Sequence, residues 1–406
     1  MRDNCIIVEL NLPGLRVDGQ RTEGDTQIVT VRYRCMRRPC PGCGQETSRV
    51  HQYHRQQKHH VSLWGQRVIL EMRKRRFRCQ GCQRVFMEQD KVCGWRRRST
   101  LAFRQALAED CRIGTIKAVA AKAGVSEALT RRAFGEMASQ LMQKMAEMPA
   151  VVALDEVYLG AKLGCYTVLY APEERYVLEL WPGRTQESAE TLLMVDAEEP
   201  RVAVVVMDMA EAYRQAVKYA CPGAVIVADK FHVLRRVLRS LEQVTSRVQA
   251  KAETSDRRSL RRRRLFTAAS KDLSEEELRE RDRLLEAYPA LAEAWRIAQA
   301  FRGIYQARDR EQATRELEAW WAGVQTCGPR EFCGLKHMLT HWREEILSYF
   351  THRVTNGFAE GKNNRIKAII RAGYGYRNID NLIQRIMMAN PQTLASVEAY
   401  SPHFVK

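Results

Sequence analysis

The chain has 406 residues and a mass of 46.8 kDa, too long for one core and suited to two to four domains of ~150 residues. Its 45 % hydrophobic and 28 % charged content excludes a disordered tail or a membrane protein as the starting expectation, and no apolar run reaches the ~18 residues of a bilayer span. Met1-Arg2-Asp3-Asn4-Cys5 lacks the basic-then-apolar layout of a signal peptide, so a cytoplasmic protein is expected.

The formal net charge is +18, and its distribution matters more than its size. Residues 1–148 hold 28 Lys and Arg against 14 Asp and Glu, so most of the excess sits at the front. There it can displace counterions from a polyphosphate and give salt-dependent binding. Twelve cysteines in a chain without an export signal read as thiols or metal ligands rather than disulfides.

Short alternating stretches predict strands at Cys5–Leu10, Gln27–Tyr33 and Val68–Met72. Between and after them stand Cys40-Pro41-Gly42-Cys43 and Cys79-Gln80-Gly81-Cys82, two C-x-x-C knuckles 35 residues apart. Each knuckle turns two thiolates toward one point, and two knuckles complete a closed tetrahedral Zn²⁺ site. The gap exceeds the commonest four-cysteine spacing and fits a zinc ribbon with a long hairpin. Cys35, Cys93, His51, His54, His59 and His60 lie nearby and read as surface or phosphate-facing residues rather than ligands. Such a platform would present Arg73, Lys74, Arg75 and Arg76 to a DNA backbone, with Trp64 and Phe77 among them.

From Ser99 to Met148 the hydrophobic period is helical. Ile116–Phe134 has the parts of a helix-turn-helix: small alanines where two helices cross, Gly124 for the turn, Val125 in the corner and Ser126 to cap the second helix. That helix would carry Thr130, Arg131 and Arg132 toward DNA.

After Pro149 the texture becomes α/β. A strand over Val151–Leu154 is followed by a hairpin, a helix, a buried strand over Val202–Met207, a second helix and a strand over Ala224–Ala228. From about His232 to Phe350 the chain reads as helical. Asp155 and Asp208 each follow a buried strand directly, where a carboxylate is costly unless it faces a cleft and holds something positive. Two such strand ends side by side suit one or two Mg²⁺ ions, which take oxygen ligands. The best third acid is Glu360, on a helix over Gly357–Arg371 where Glu360, Asn364, Lys367 and Arg371 share a face.

These features carry a resemblance. The order of strands, acids and helical insertion resembles the RNase H-like core of DDE transposases. The knuckles, Leu154-Asp155-Glu156, Asp229-Lys230-Phe231-His232-Val233, and Thr355-Asn356-Gly357 through Lys367 with Gly375-Tyr376-Arg377-Asn378 are similar to the ISL-three family of bacterial insertion-sequence transposases. The family often has Arg where this chain has Lys230. The resemblance implies a catalytic triad of Asp155, Asp208 and Glu360 holding Mg²⁺ or Mn²⁺, with Asp229 and His232 as an Asp-x-x-His signature that supports the core or meets the scissile strand. It also implies that double-stranded DNA is the partner, bound at element ends and target by a homodimer or larger assembly.

The expected fold is multidomain α/β, an RNase H-like core interrupted by an all-helical insertion. Its boundaries are a zinc-ribbon domain at 1–95, a helix-turn-helix domain at 96–148, core at 149–234, insertion at 235–350 and the core's terminal helices at 351–406. Trp295, Trp320 and Trp321 in the insertion could stack an unpaired base, although core packing is the commoner use of such residues. Cys327, Cys333, His337 and His341 fit no standard ligand spacing. A zinc-containing DNA binder without activity and a stand-alone metal-dependent nuclease are the competing readings.

Overall fold

A computed structural model describes residues 10, 12–89, 92–94, 97–144, 148–194, 202–373, 376 and 378–389. Most of the Cys5–Leu10 stretch, together with Gly375 and Arg377, lies outside the described residues. The chain divides into two compact units, one within residues 1–143 and one within residues 144–392.

In the first unit β1 (Leu15–Glu23) and β2 (Thr26–Tyr33) are followed by the short pair β3 (Arg38–Pro39) and β4 (Glu46–Thr47). The long strands β5 (Val50–Leu63) and β6 (Gln66–Arg78) and the short β7 (Val85–Met87) complete the β part. The main sheet runs β1-β2-β6-β5, with β7 also on β6, and the short pair β3–β4 stands apart. Alternation makes the core: Val68, Leu70 and Met72 of β6 bury one face with Val29, Val31 and Tyr33 of β2. The β5–β6 hairpin turns on Trp64 and Gly65, both with positive φ, as a two-residue primed turn requires. Trp64 is exposed there, whereas Phe77 is buried against Phe86.

Helices α1 (Leu101–Ile113), α2 (Ile116–Ala123) and α3 (Glu127–Lys144) follow. The Thr100 and Thr115 hydroxyls accept from backbone N–H groups at the starts of α1 and α2. Gly124 ends α2 in the left-handed region, Val125 N–H donates to Ala120 O at 3.0 Å, and Ser126 Oγ accepts from Leu129 N–H at 3.3 Å. Each expected turn residue thus has its local role.

The second unit is built on β8 (Val151–Tyr158), β9 (Cys165–Ala171), β10 (Tyr176–Pro182), β11 (Val204–Met207) and β12 (Val225–Ala228), in the sheet order β10-β9-β8-β11-β12. The first three are antiparallel neighbours, and β11 lies parallel to both β8 and β12. The all-apolar Val204–Met207 run is buried throughout, as a central parallel strand demands. Helix α4 (Gln186–Leu193) precedes β11, α5 (Glu211–Ala220) links β11 to β12, and α6 (Lys230–Lys251) leaves β12.

The helical region continues with α7 (Thr254–Arg261), α8 (Arg264–Thr267), α9 (Glu275–Ala287), α10 (Pro289–Ile304) and α11 (Arg310–Cys327). It closes with α12 (Arg330–Cys333), α13 (Lys336–His341) and α14 (Arg343–His352). Helix α10 packs on α6, and α14 returns the chain to β12. Then α15 (Gly357–Ala372) lies against β8 and α16 (Ile379–Met388) against β10. Trp320 is core: its indole N–H donates to Ile297 O at 2.8 Å and its ring meets Phe301. Among the described residues, no helix is long and apolar enough to cross a membrane.

Candidate catalytic and nucleic-acid sites

The parallel register sets Leu154 beside Met207 and Met207 beside Ala228. The next residue of each strand is therefore an aspartate at the same level: Asp155, Asp208 and Asp229. One detail differs from the expected picture, because β8 does not stop at Leu154. It runs on to Tyr158 with Asp155 paired to Val168 of β9, so Asp155 is held by a strand on one side only.

His232, in the first turn of α6, bridges the other two acids. Its Nδ1 is in close contact with Asp208 Oδ1 and lies 3.3 Å from Asp229 Oδ2. Burial works against its charge, but hydrogen bonds to both carboxylates override that and push His232 up to about 10. Burial raises Asp155 to about 6, helped by the like charges of Asp208 and Asp229 and opposed by the Glu156 N–H, which donates to it at 2.7 Å. Two of the carboxylates thus share one imidazole and the third stands on the neighbouring strand, all hard oxygen donors of the kind a divalent cation takes.

Helix α15 is tied to this edge twice. Asn356 N–H donates to Asp229 Oδ1 at 2.9 Å, and Asn363 Nδ2 donates to Asp155 Oδ2 at 2.9 Å and to Glu156 O at 3.3 Å. Tyr170 OH donates to Asn363 Oδ1 at 2.5 Å, which fixes the orientation of the amide. Sequence reasoning missed Asn363, Tyr170 and Asn356. Asn363 stands three residues after Glu360 and could have been found by the same helical spacing that selected Asn364.

Glu360, Asn364, Lys367 and Arg371 are all exposed, on the face expected of them. Glu360 lies one turn, about 4.5 Å of helix axis, before the residue that touches Asp155. The carboxylates of Asp155, Asp208 and Glu360 do not converge as a ready-made three-ligand cluster.

The four cysteines do converge. Their sulfurs lie within 4.8 Å of one another, with Cys40–Cys82 at 3.6 Å and Cys43–Cys79 at 3.5 Å. A tetrahedron of Zn–S bonds has edges of about 3.8 Å, so the four thiolates fit Zn²⁺ with no open position for substrate, the mark of a structural site. Backbone N–H groups of Gly42 and Cys43 hold Cys40 low, to about 6, which favours the thiolate a metal needs.

The expected DNA-facing residues divide. Arg73, Arg76, Arg131 and Arg132 are exposed and available to phosphates. Three are not. Thr130 is fully buried, its hydroxyl donating to Ser126 O at 3.3 Å, because it falls on the inner side of α3. Lys74 is buried because it continues the period of Val68, Leu70 and Met72. Arg75 is buried in a bidentate pair with Glu88, Nη2 to Oε2 at 2.7 Å, and also donates to Cys35 O at 2.7 Å.

Comparison with known proteins accords with this arrangement. A family model for ISL3 transposases, described as "Transposase", matches residues 152–386, and a second, "zinc-finger of transposase IS204/IS1001/IS1096/IS1165", matches residues 37–82. The transposase for insertion sequence element IS1001 of Bordetella parapertussis is 24% identical over 384 residues, covering 93% of this chain and 94% of its own. The transposase for insertion sequence element IS1557 of Mycobacterium tuberculosis is 21% identical over 269 residues, 56% of this chain and 59% of its own. With its cysteine cluster inside one matched segment and Asp155, Asp208 and Asp229 inside the other, the chain belongs to the ISL3 family of insertion-sequence transposases.

Proposed function

We propose that the chain binds the terminal repeats of its element, hydrolyses the phosphodiester at each end and joins the freed 3′-hydroxyls to target DNA. Asp155, Asp208 and Glu360 are the acids that hold Mg²⁺ or Mn²⁺. The carrying observation is the placement of Asp155 within β8 and Asp208 at the end of the neighbouring β11 at the same level, with the Glu360 helix hydrogen-bonded to Asp155. The sheet order, an antiparallel trio continued by two parallel strands, supports an RNase H-like core. The α2–Gly124–α3 turn supports a helix-turn-helix reader beside the zinc ribbon. The five segments 1–95, 96–148, 149–234, 235–350 and 351–406 are part of this reading, as are double-stranded DNA as partner, a homodimer or larger assembly and action in the cytoplasm.

When bound, a pair of such cations polarises the scissile phosphate and the attacking oxygen. Asp155 and Asp208 supply oxygens on rigid strands. His232 Nδ1 holds Asp208 and Asp229, and Asn363 turns Asp155 into one orientation. Glu360 would complete the set from α15 once drawn toward Asp155 with substrate and cations bound, and Asn364, Lys367 and Arg371 on its exposed face would take the flanking phosphates. Water attacks phosphorus and the P–O3′ bond breaks, leaving a 3′-hydroxyl and a 5′-phosphate. That hydroxyl then attacks a target phosphodiester and displaces another 3′-hydroxyl. The joining step conserves the number of phosphodiesters, so it needs no ATP.

The test compares the parent and Asp208→Asn with Mg²⁺ and labelled DNA carrying the sequences that flank the gene. Both should retain DNA and only the parent should break it, at the element ends. Equal breakage by the variant removes Asp208 from the mechanism, and breakage without end preference favours a nuclease.

A further inference from the structure

Beside the carboxylate cluster, α6 carries an aromatic ring that the chemistry above leaves unused. Phe231 is 44 % exposed and stands edge-on to its neighbour His232 at a 5.6 Å centroid distance. One turn further on, the Arg235 guanidinium lies over the same ring at 5.2 Å. Phe231, Arg235, Leu238 and Arg239 form one wall of a groove of about 530 Å³, and Ala268 and Arg302 of the helical region face them. Arg302 is committed to that wall, donating to Thr267 O at 2.7 Å. Arg239 is exposed and forms no ion pair among the described residues.

The groove has a direction. Phe231 stands at the start of α6 beside His232, with Arg235 one turn further on. The acids Glu242 and Asp272 also line it, and Glu242 lies eleven residues after Phe231, about 16 Å along the axis. Arg235 and Arg239 both precede Glu242 along α6, so a phosphate chain is favoured over the two turns that carry them and disfavoured beyond. The volume lies in the range that encloses one small organic group. An exposed ring with cations beside it is the standard arrangement for stacking an unpaired base while holding its backbone.

We propose that this groove receives one unstacked nucleobase of the DNA strand next to the cleaved phosphate, stacked on Phe231, with Arg235 and Arg239 on the adjoining phosphates. The proposal rests on the transposase reading and names the part of the substrate this surface takes. A base drawn out of the duplex would let its phosphate approach Asp155 and Asp208 more closely than an intact helix allows. None of the tryptophans named above lines this groove: Trp320 is buried, Trp321 lies beside it and Trp295 lies under Arg281.

The full chain is tested on duplexes made from the DNA flanking its gene, either fully paired or with one mismatched base beside the cleaved phosphate. Phe231→Ala should cut paired DNA about tenfold more slowly and recover to within about threefold of the parent on the mismatched duplex. Phe231→Tyr should behave as the parent, and Arg239→Ala should slow both duplexes. Unchanged melting of the variants checks folding. A Phe231→Ala rate equal to the parent's, or equally slow on both duplexes, overturns the proposal. So does protection by free dATP at concentrations below those at which DNA binds, since the groove would then be a mononucleotide site. A parent that binds these duplexes and cuts neither overturns the transposase reading and this proposal with it. A parent that cuts while Phe231→Ala is unaffected overturns this proposal alone.

Discussion

The side-chain amide of Asn363 donates to the Asp155 carboxylate at 2.9 Å across 208 positions of sequence. Because Tyr170 fixes the other end of that amide, the bond couples the roll of α15 to the orientation of the Asp155 carboxylate. Partners that orient metal-holding carboxylates typically contribute 10–100-fold. Asn363→Ala should therefore lower DNA cleavage by about that factor while retaining DNA binding, and Tyr170→Phe should have a smaller effect in the same direction. Raising Mn²⁺ should recover part of the Asn363→Ala loss, since a misoriented ligand weakens the metal site. Single-turnover cleavage against metal concentration checks this; an unchanged metal midpoint would argue for a purely structural role.

Arg75 and Arg76 are neighbours with opposite duties. Arg75 is paired with a fully buried Glu88 side chain, and breaking such a pair by removing one partner costs about 3–5 kcal/mol. Arg75→Ala should lower the unfolding midpoint. Arg76→Ala should leave stability nearly unchanged and reduce the salt dependence of DNA binding by about one unit of slope. Denaturant titration and binding at several salt concentrations separate the two.

The cysteine cluster sets a metal requirement for the first unit. Purified protein should contain one zinc per chain, and Cys79→Ser should lose it together with specific DNA retention. Folding in small zinc domains is driven by the metal, so strong chelation should expose the Cys40–Cys82 segment to protease. Elemental analysis and limited proteolysis check both; full DNA retention by zinc-free protein would contradict the assignment.

His60 makes the start of α1 sensitive to acid. Burial holds its pKa below the ordinary value, against a backbone hydrogen bond to Leu10. Its Nδ1 lies 3.0 Å from Thr100 Oγ, the hydroxyl that caps α1. The unfolded chain takes up the proton first, so the contribution is complete above about pH 6.5 and declines as pH falls toward the folded value. Hydrogen-exchange protection of Leu101–Ile113, corrected for intrinsic rates, should drop between about pH 7 and 5.5 in the parent. His60→Gln should flatten that drop.

Much of this molecule could be read from local rules. Two C-x-x-C knuckles with glycine inside, a Gly-Val-Ser turn between two helices, and an aspartate after an apolar run each depend on a few adjacent residues. The knuckles, the turn and Asp208 appear in the structure in their expected local form, while Asp155 lies inside β8, which runs on to Tyr158. Asp155 and Asp208 were legible because a carboxylate ending a buried strand is costly without a purpose.

What the tertiary structure alone decided is which chemically similar neighbour faces which way. Asn363 and Asn364 both satisfy helical spacing from Glu360, and only the packing of α15 on β8 selects Asn363 for Asp155. Arg75 and Arg76 look alike in sequence until β7 brings Glu88 beside one of them. Thr130 was expected outward and lies inward for the same reason. Composition and spacing are properties of the chain, but the roll of a helix and the choice of a strand partner are set by contacts between distant segments, which no local pattern contains.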